Sequence, residues 1–282
     1  MSKLHSWLLA GGAAAIVCAS AAALAQTAGT PSSIPDFSSG DRAWNRVGIP
    51  FLDPQTNKII FEDPANPYKT RGLNAQGKDD NGRPNPPDWE NPNFKPWVAE
   101  KMKAYADEAL KGKIRVTPEA SCWPGGTPGQ MIFNEPLFIL QTPVEVTLLY
   151  QRDHAVRHVY MNVPHSKNPK PSWYGESVGH YEGDELVVDT IGLNDKADLD
   201  NWGTPHSDAL HVVERYKMTA DGKGLRVTFT IDDPKAFNAP WSGVAVFRQA
   251  KGPLIEAVCA ENNFDFFTGE SYRIPEAARI DF

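Results

Sequence analysis

Residues 204–216 read TPHSDALHVVERY and place two histidines, a serine, two acids and an arginine within thirteen positions. No other stretch concentrates so many groups able to move a proton or coordinate a metal. An imidazole titrates near neutral pH and so can serve as base or acid. His154 and His158 lie in DHAVRHVYMNV, four residues apart, a spacing that on a helix would bring both rings to one metal ion. The segment is β-branched and aromatic, and on a strand four residues span roughly 13 Å, so the two rings do not share an ion.

Strand geometry sorts these residues by face. His154, Val156, His158 and Tyr160 alternate with Ala155, Arg157, Val159 and Met161, and Ala209, His211, Val213 and Arg215 alternate with Leu210, Val212, Glu214 and Tyr216. His206 follows Pro205 in a turn. The candidate interior mixes His154, Tyr160, His211 and Arg215, with Trp123, Trp173, Trp202 and Trp241 available to line a pocket. In that interior His154, His206 or His211 acts as base or acid and Tyr160 donates a hydrogen bond. Arg215 or Arg157 stabilises an enolate or carboxylate. Asp189, inside VVDT, needs a partner if buried, and Arg157, Arg215 or a histidine would suit. Asp189 or Glu214 is placed to orient an imidazole. The competing account makes His211 a satisfied structural histidine and Asp189 half of a structural ion pair. The carboxylates around the His180 turn and Asp232–Asp233 read as solvated or turn-forming groups.

HExxH, GxGxxG after a strand and the Walker loop are absent from the sequence, and GESVG at 175–179, which matches the letters of GxSxG, has no helix pattern after it to make the strand-to-helix elbow of a nucleophile. CWPGGTPGQM is glycine-rich but lacks a lysine and a following helix, which argues against phosphate cradling. No cofactor and no metal are expected.

The elements that must position these groups are short runs from about residue 137 onward. They are LFILQT, VEVTLLYQR, AVRHVYMNV, SVGHY, ELVVDTIGL, ALHVVERYKM, LRVTFTI, GVAVFRQ and LIEAVCAE. Gly183-Asp184 and DGKG are hairpin connections. Nine consecutive antiparallel candidates without an intervening helix predict a mainly β fold, a meander over residues 121–282 closing into a lipocalin- or calycin-like barrel, with a β-sandwich as the alternative. Residues 26–120 are proline-dense, as in PNPPDWENPNFKP, and read as an arm that wraps this domain. One helix is predicted within it, at 96–111, opened by Pro96 with an apolar stripe through Trp97, Val98, Met102, Tyr105 and Ala106.

Residues 1–25 have the lysine, apolar run and small-residue exit of an export signal, with cleavage expected near Ala25. The protein is then periplasmic or secreted, with no membrane insertion. Cys18 falls inside the signal, leaving Cys122 and Cys259, and an oxidising compartment favours pairing them. Closing that loop would contribute on the order of 4 kcal/mol in the chain-entropy model. The formal charge of the whole chain is −7, and loss of Lys3 with the signal makes it more negative. A nucleic-acid backbone would be repelled.

The motifs C-x-P-x-G-x-P, H-x-V-R, G-D-x-L-V-V-D-T, P-H-S-x-A-L-H-V-V-E-R and C-x-E-N, between Cys122 and Asn262, resemble an uncharacterised group of exported bacterial proteins. The resemblance covers about half the chain and brings no activity with it. The group often reads R-R-I-Y-M-D-G where this chain has Arg157 to Val163, which sets His158 behind His154, His206 and His211 as a shared functional residue.

Taken together, the sequence predicts a periplasmic, cofactor-independent acid/base enzyme, a lyase, dehydratase, hydratase or isomerase, for a small and partly apolar or aromatic molecule. Two alternatives stand beside it. One is a calycin-like binding protein for an apolar ligand, and the other a metal-dependent enzyme built on His154, His206 and His211 with a carboxylate.

Overall fold

The computed structural model describes residues 34–47, 52–53, 58–59, 89, 91–110, 122–132, 135–200, 203–250 and 252–262. The export signal, Trp202 and most of the proline-dense arm lie outside them. Within them the fold is mainly β. Nine strands close a barrel, in the order β1 (Trp44–Val47), β11 (Trp241–Gln249), β10 (Gly224–Asp232), β9 (His211–Met218), β8 (Glu185–Ile191), β7 (Glu176–Glu182), β6 (Val156–Met161), β5 (Glu145–Tyr150) and β4 (Leu137–Gln141). Strands β2 (Leu52–Asp53) and β3 (Lys58–Ile59) form a separate two-stranded ribbon, with β2 against β11.

Three features depart from the meander read in the sequence. The first strand of the barrel comes from the arm: WNRV alternates buried and exposed residues, pairs antiparallel with β11, and meets β4 at Trp44 and Leu137. Below that meeting point Ser39 seals the edge of β4 through two bonds with the Ile139 backbone, 3.0 and 2.8 Å. The ninth candidate, LIEAVCAE, is not a strand. Residues 252–258 run as irregular chain and Cys259–Asn262 form a 3-10 turn, pinned where Asp153 N–H donates to the Ala257 carbonyl (3.0 Å) and Cys259 N–H to Asp153 Oδ1 (2.8 Å). Cys259 thereby meets Cys122 at disulfide distance, with Cα atoms 5.5 Å apart.

The third departure is that β6 and β7 are parallel, Val159 opposite Ser177. Parallel neighbours need a crossover, since a tight turn cannot reverse the chain twice. Residues 162–175 supply it without a helix. Its return is fastened where Ser172 N–H donates to the Gly192 carbonyl (3.0 Å) and Asn194 N–H to the Ser172 carbonyl (2.8 Å). Gly175 then turns into β7 with φ +67°, and a Cβ there would stand 2.6 Å from the Ile191 carbonyl oxygen and 2.8 Å from Thr190 Cγ2. Gly175→Ala combines a left-handed backbone with this clash, and is expected to lower stability by about 1–3 kcal/mol in a thermal melt.

Helix α1 (Pro96–Leu110) buries Val98, Met102 and Ala106. It docks beside the β10–β11 connection, where Trp97 Nε1 donates to the Lys235 carbonyl (2.8 Å) and Lys95 N–H to the Ala236 carbonyl (2.8 Å). Phe94 packs on Phe237, and Phe237 edge-on to Trp241. The short helix α2 (Gly129–Ile132) is buried throughout.

Inside the barrel, Leu186, Val188, Val212, Val227 and Phe229 make an apolar filling with one polar inclusion. Arg157 from β6 meets Glu214 from β9 through both guanidinium Nη atoms, Nη1 at 3.0 Å from Oε1 and Nη2 on Oε2. Arg157 Nε donates to Ser177 Oγ (3.0 Å), Nη2 to Thr190 Oγ1 (2.7 Å), and Tyr216 OH to Glu214 Oε1 (3.2 Å). Burial alone would lower the Arg157 pKa, but the Glu214 charge and hydrogen bonds outweigh it and the net shift is upward. Burial, reinforced by Glu214, raises the Tyr216 hydroxyl well above its usual value.

Candidate functional site: a carboxylate shared by two histidines on the outer wall

The alternation predicted along β6 and β9 is present, but its two faces are exchanged relative to the candidate interior. Arg157, Val159 and Met161 face in, as do Val212, Glu214 and Tyr216. Tyr160, 48% exposed, and His158, His211 and Arg215 therefore stand on the outer wall. The reason is packing. The inward set carries the larger share of apolar surface, and its single ion pair is tolerated because both partners are fully bonded. Arg157, 2% exposed, is thus a core residue, and the Glu214 carboxylate is bonded to it.

His154 is not on a strand. It sits exposed in the turn before β6, at φ +47°, two residues ahead of Val156. His206 lies in the β8–β9 connection, buried, with Nδ1 donating to the Ser207 carbonyl (2.9 Å). Burial lowers its pKa, against the Ser207 bond and the charges of Asp233, Asp198 and Asp195. The folded protein thus favours neutral His206, so its stability contribution is whole above the unfolded value near 6.5 and declines as pH falls through the depressed folded value. His206→Asn is expected to lose less melting temperature than the wild type between pH 7.5 and 5. Equal losses would show that another group drives the acid response.

The three described candidate tryptophans do not gather round a barrel pocket. Trp241 is in the core, and Trp123 and Trp173 pair edge-on at 5.3 Å, between the loop after Cys122 and the crossover. Asp233 is a turn former, accepting from Ser207 N–H (2.6 Å), Ser207 Oγ (2.7 Å) and Lys235 N–H (3.1 Å). Around the β7–β8 hairpin, Glu182 and Glu185 receive Arg215, Asp184 and Glu185 receive Lys217, and His180 pairs with Glu182. These exposed pairs form a solvated ladder, each contributing little. His158 belongs to a similar pair with Glu145 and stacks on Tyr160.

Asp189 is different. It faces outward from β8, opposite Val178 on β7 and Val213 on β9. Its Oδ1 is 3.0 Å from His211 Nε2 and 2.8 Å from His165 Nε2. Two imidazoles from different parts of the chain share one carboxylate oxygen. His165 comes from the crossover, and its other nitrogen, Nδ1, is 3.1 Å from Glu176 Oε1. Glu176 also accepts from Ser166 N–H at 2.7 Å; the Ser166 bonds first, and then His165, hold its carboxyl below the usual carboxylate value. His165 is therefore engaged at both ring nitrogens. His211 is engaged at Nε2 alone, and its Nδ1 makes no hydrogen bond among the described residues.

The pair is partly exposed, with the side chains of His211 and Asp189 38% and 36% exposed. A carboxylate fixes the tautomer of the imidazole it receives: Nε2 carries the hydrogen and Nδ1 keeps its lone pair. Of the residues singled out in the sequence, the structure brings together His211 and Asp189. It adds His165 and Glu176, which sequence reasoning passed over. Tyr160 lies on the same outer row as Asp189 but two strands away, about 10 Å at ordinary strand spacing. Among the described residues no group of three or more His, Cys, Asp or Glu is arranged to hold a metal ion, and His154, His206 and His211 form no such set. No helix among the described residues is long and apolar enough to cross a membrane.

Compared with known proteins, the chain matches no family model and no curated relative.

Proposed function

We propose that this is an exported, cofactor-independent acid/base enzyme whose proton-transfer centre is the His211–Asp189 pair on the outer wall of the barrel. The observation that carries the reading is a half-exposed imidazole held by a carboxylate at Nε2 with Nδ1 unengaged, which is the arrangement of a positioned general base. His211 Nδ1 takes the proton from the substrate, Asp189 keeps the tautomer and steadies the imidazolium that forms, and the same proton is returned to a second atom of the substrate. Such a cycle consumes no redox equivalent and suits a lyase, hydratase, dehydratase or isomerase. Val178 and Val213, which flank Asp189 in register, offer apolar contact to a small, partly apolar substrate.

Support for a periplasmic setting comes from the export-type leader and from the disulfide-distance pair Cys122 and Cys259. Two findings weigh against a calycin-like carrier. The described interior is filled by core side chains and the Arg157–Glu214 network, and His211 lies within hydrogen-bond reach of a carboxylate. The test is a panel of small carbonyl and hydroxy compounds incubated with the mature protein in D2O. Deuterium incorporation or turnover by the wild type that disappears in His211→Ala supports the reading, and incorporation that persists in the variant contradicts it.

A further inference from the structure

We infer that the crossover Asn162–Gly175 is a strap that gates the proposed site, latched by His165; this regulation rests on the acid/base reading of His211 and Asp189. Its ends are fixed by backbone. Asn162 N–H donates to the Gly179 carbonyl (2.7 Å), and Ser172 is held between Gly192 and Asn194. The intervening residues are exposed except for His165 and Pro169, which are half-buried. Pro169 rests against Gly192, where an added Cβ would come within 2.8 Å of it. Between Val163 and Pro171 the described bonds that involve a side chain run to the site: His165 to Asp189 and Glu176, and the Ser166 N–H to Glu176.

The latch and the base thus use the same atom. With the strap down, His165 occupies Asp189 Oδ1 beside His211 and covers Glu176. With the strap lifted, Asp189 serves His211 alone and the wall beneath it is open to substrate. Exposed segments with few buried contacts open at low free-energy cost, and three prolines, Pro164, Pro169 and Pro171, keep this one stiff enough to move as a unit.

Lys167, exposed beside the latch, reports the open state. Mature wild-type protein and the variants His165→Ala, Glu176→Gln and His211→Ala are treated with trypsin under native conditions, and cleavage after Lys167 is followed by mass spectrometry. Release of the latch is expected to raise that cleavage roughly tenfold in His165→Ala, since native-state proteolysis tracks the open population. A smaller rise is expected in Glu176→Gln and none in His211→Ala, which belongs to the wall. An unchanged rate in His165→Ala, or an equal rise in His211→Ala, overturns the strap. Cleavage needs no substrate, so a strap that behaves as expected in a protein without turnover would count against the acid/base reading and not against the latch.

Discussion

Arg157→Met is expected to lower the stability of the fold by about 3–5 kcal/mol, the usual cost of stranding one partner of a buried ion pair. The variant keeps the volume and leaves the Glu214 carboxylate in the barrel with only Tyr216 to satisfy it, while Ser177 and Thr190 lose their guanidinium donor. For a domain of this size the loss corresponds to a fall of roughly 6–20 °C in melting temperature. Removing both charges behaves differently. Arg157→Met with Glu214→Leu takes away the desolvation penalty together with the attraction, so the double variant is expected to recover most of the loss. Urea melts of the two single variants and the double measure the coupling directly. A loss below about 1 kcal/mol in Arg157→Met would mean that water reaches Glu214 and that the barrel interior is not closed.

The second large effect is on activity. Asp189→Asn keeps the shape of the side chain but offers His211 a neutral amide, which neither enforces the Nε2–H tautomer nor stabilises an imidazolium. Loss of positioned acid/base catalysis typically costs 10²–10⁴-fold in rate, and a fall of about that size in kcat is expected for Asp189→Asn and for His211→Ala. Folding should hold in both, because the two side chains are half-exposed and outside the core. A matching fall in melting temperature would instead make the pair structural, as the competing account of the sequence has it.

Much of the architecture was legible before the structure. Period-two alternation in HVVERYKM, LRVTFTI and ELVVDTI defined strands, Gly183-Asp184 and DGKG defined their turns, and a long run of strands implied closure. The sign of the alternation was not legible. Both faces of β9 carry a charged residue and apolar neighbours, so whether Glu214 or Arg215 points inward depends on a partner on β6 that only tertiary structure supplies, namely Arg157. The same limit hid β1, where four residues of a proline-dense arm become a strand because β11 and the edge of β4 offer them backbone partners.

His165 was missed for a different reason. It lies in PHSKNPKPSWYG, which has no period, and aperiodic polar sequence reads as loop. The available signal was length. The thirteen-residue connection between AVRHVYMNV and SVGHY is too long for a hairpin and long enough for a crossover to a parallel neighbour, which must pass over the sheet and bring its side chains with it. His206 shows the converse: a candidate base in the sequence is buried turn chemistry, with Ser207 bonded to Asp233 and the imidazole to the Ser207 carbonyl.

The most direct test of the outer-wall site is a comparison of kcat for Asp189→Asn and Ser177→Ala on one compound that the wild type turns over. Asp189 faces out from β8 and Ser177 faces in from β7, so the two report opposite sides of the same wall. The account predicts a fall of about two orders of magnitude or more for Asp189→Asn and near wild-type kcat for Ser177→Ala. Near wild-type turnover in Asp189→Asn with loss in Ser177→Ala would place the chemistry inside the barrel and contradict it.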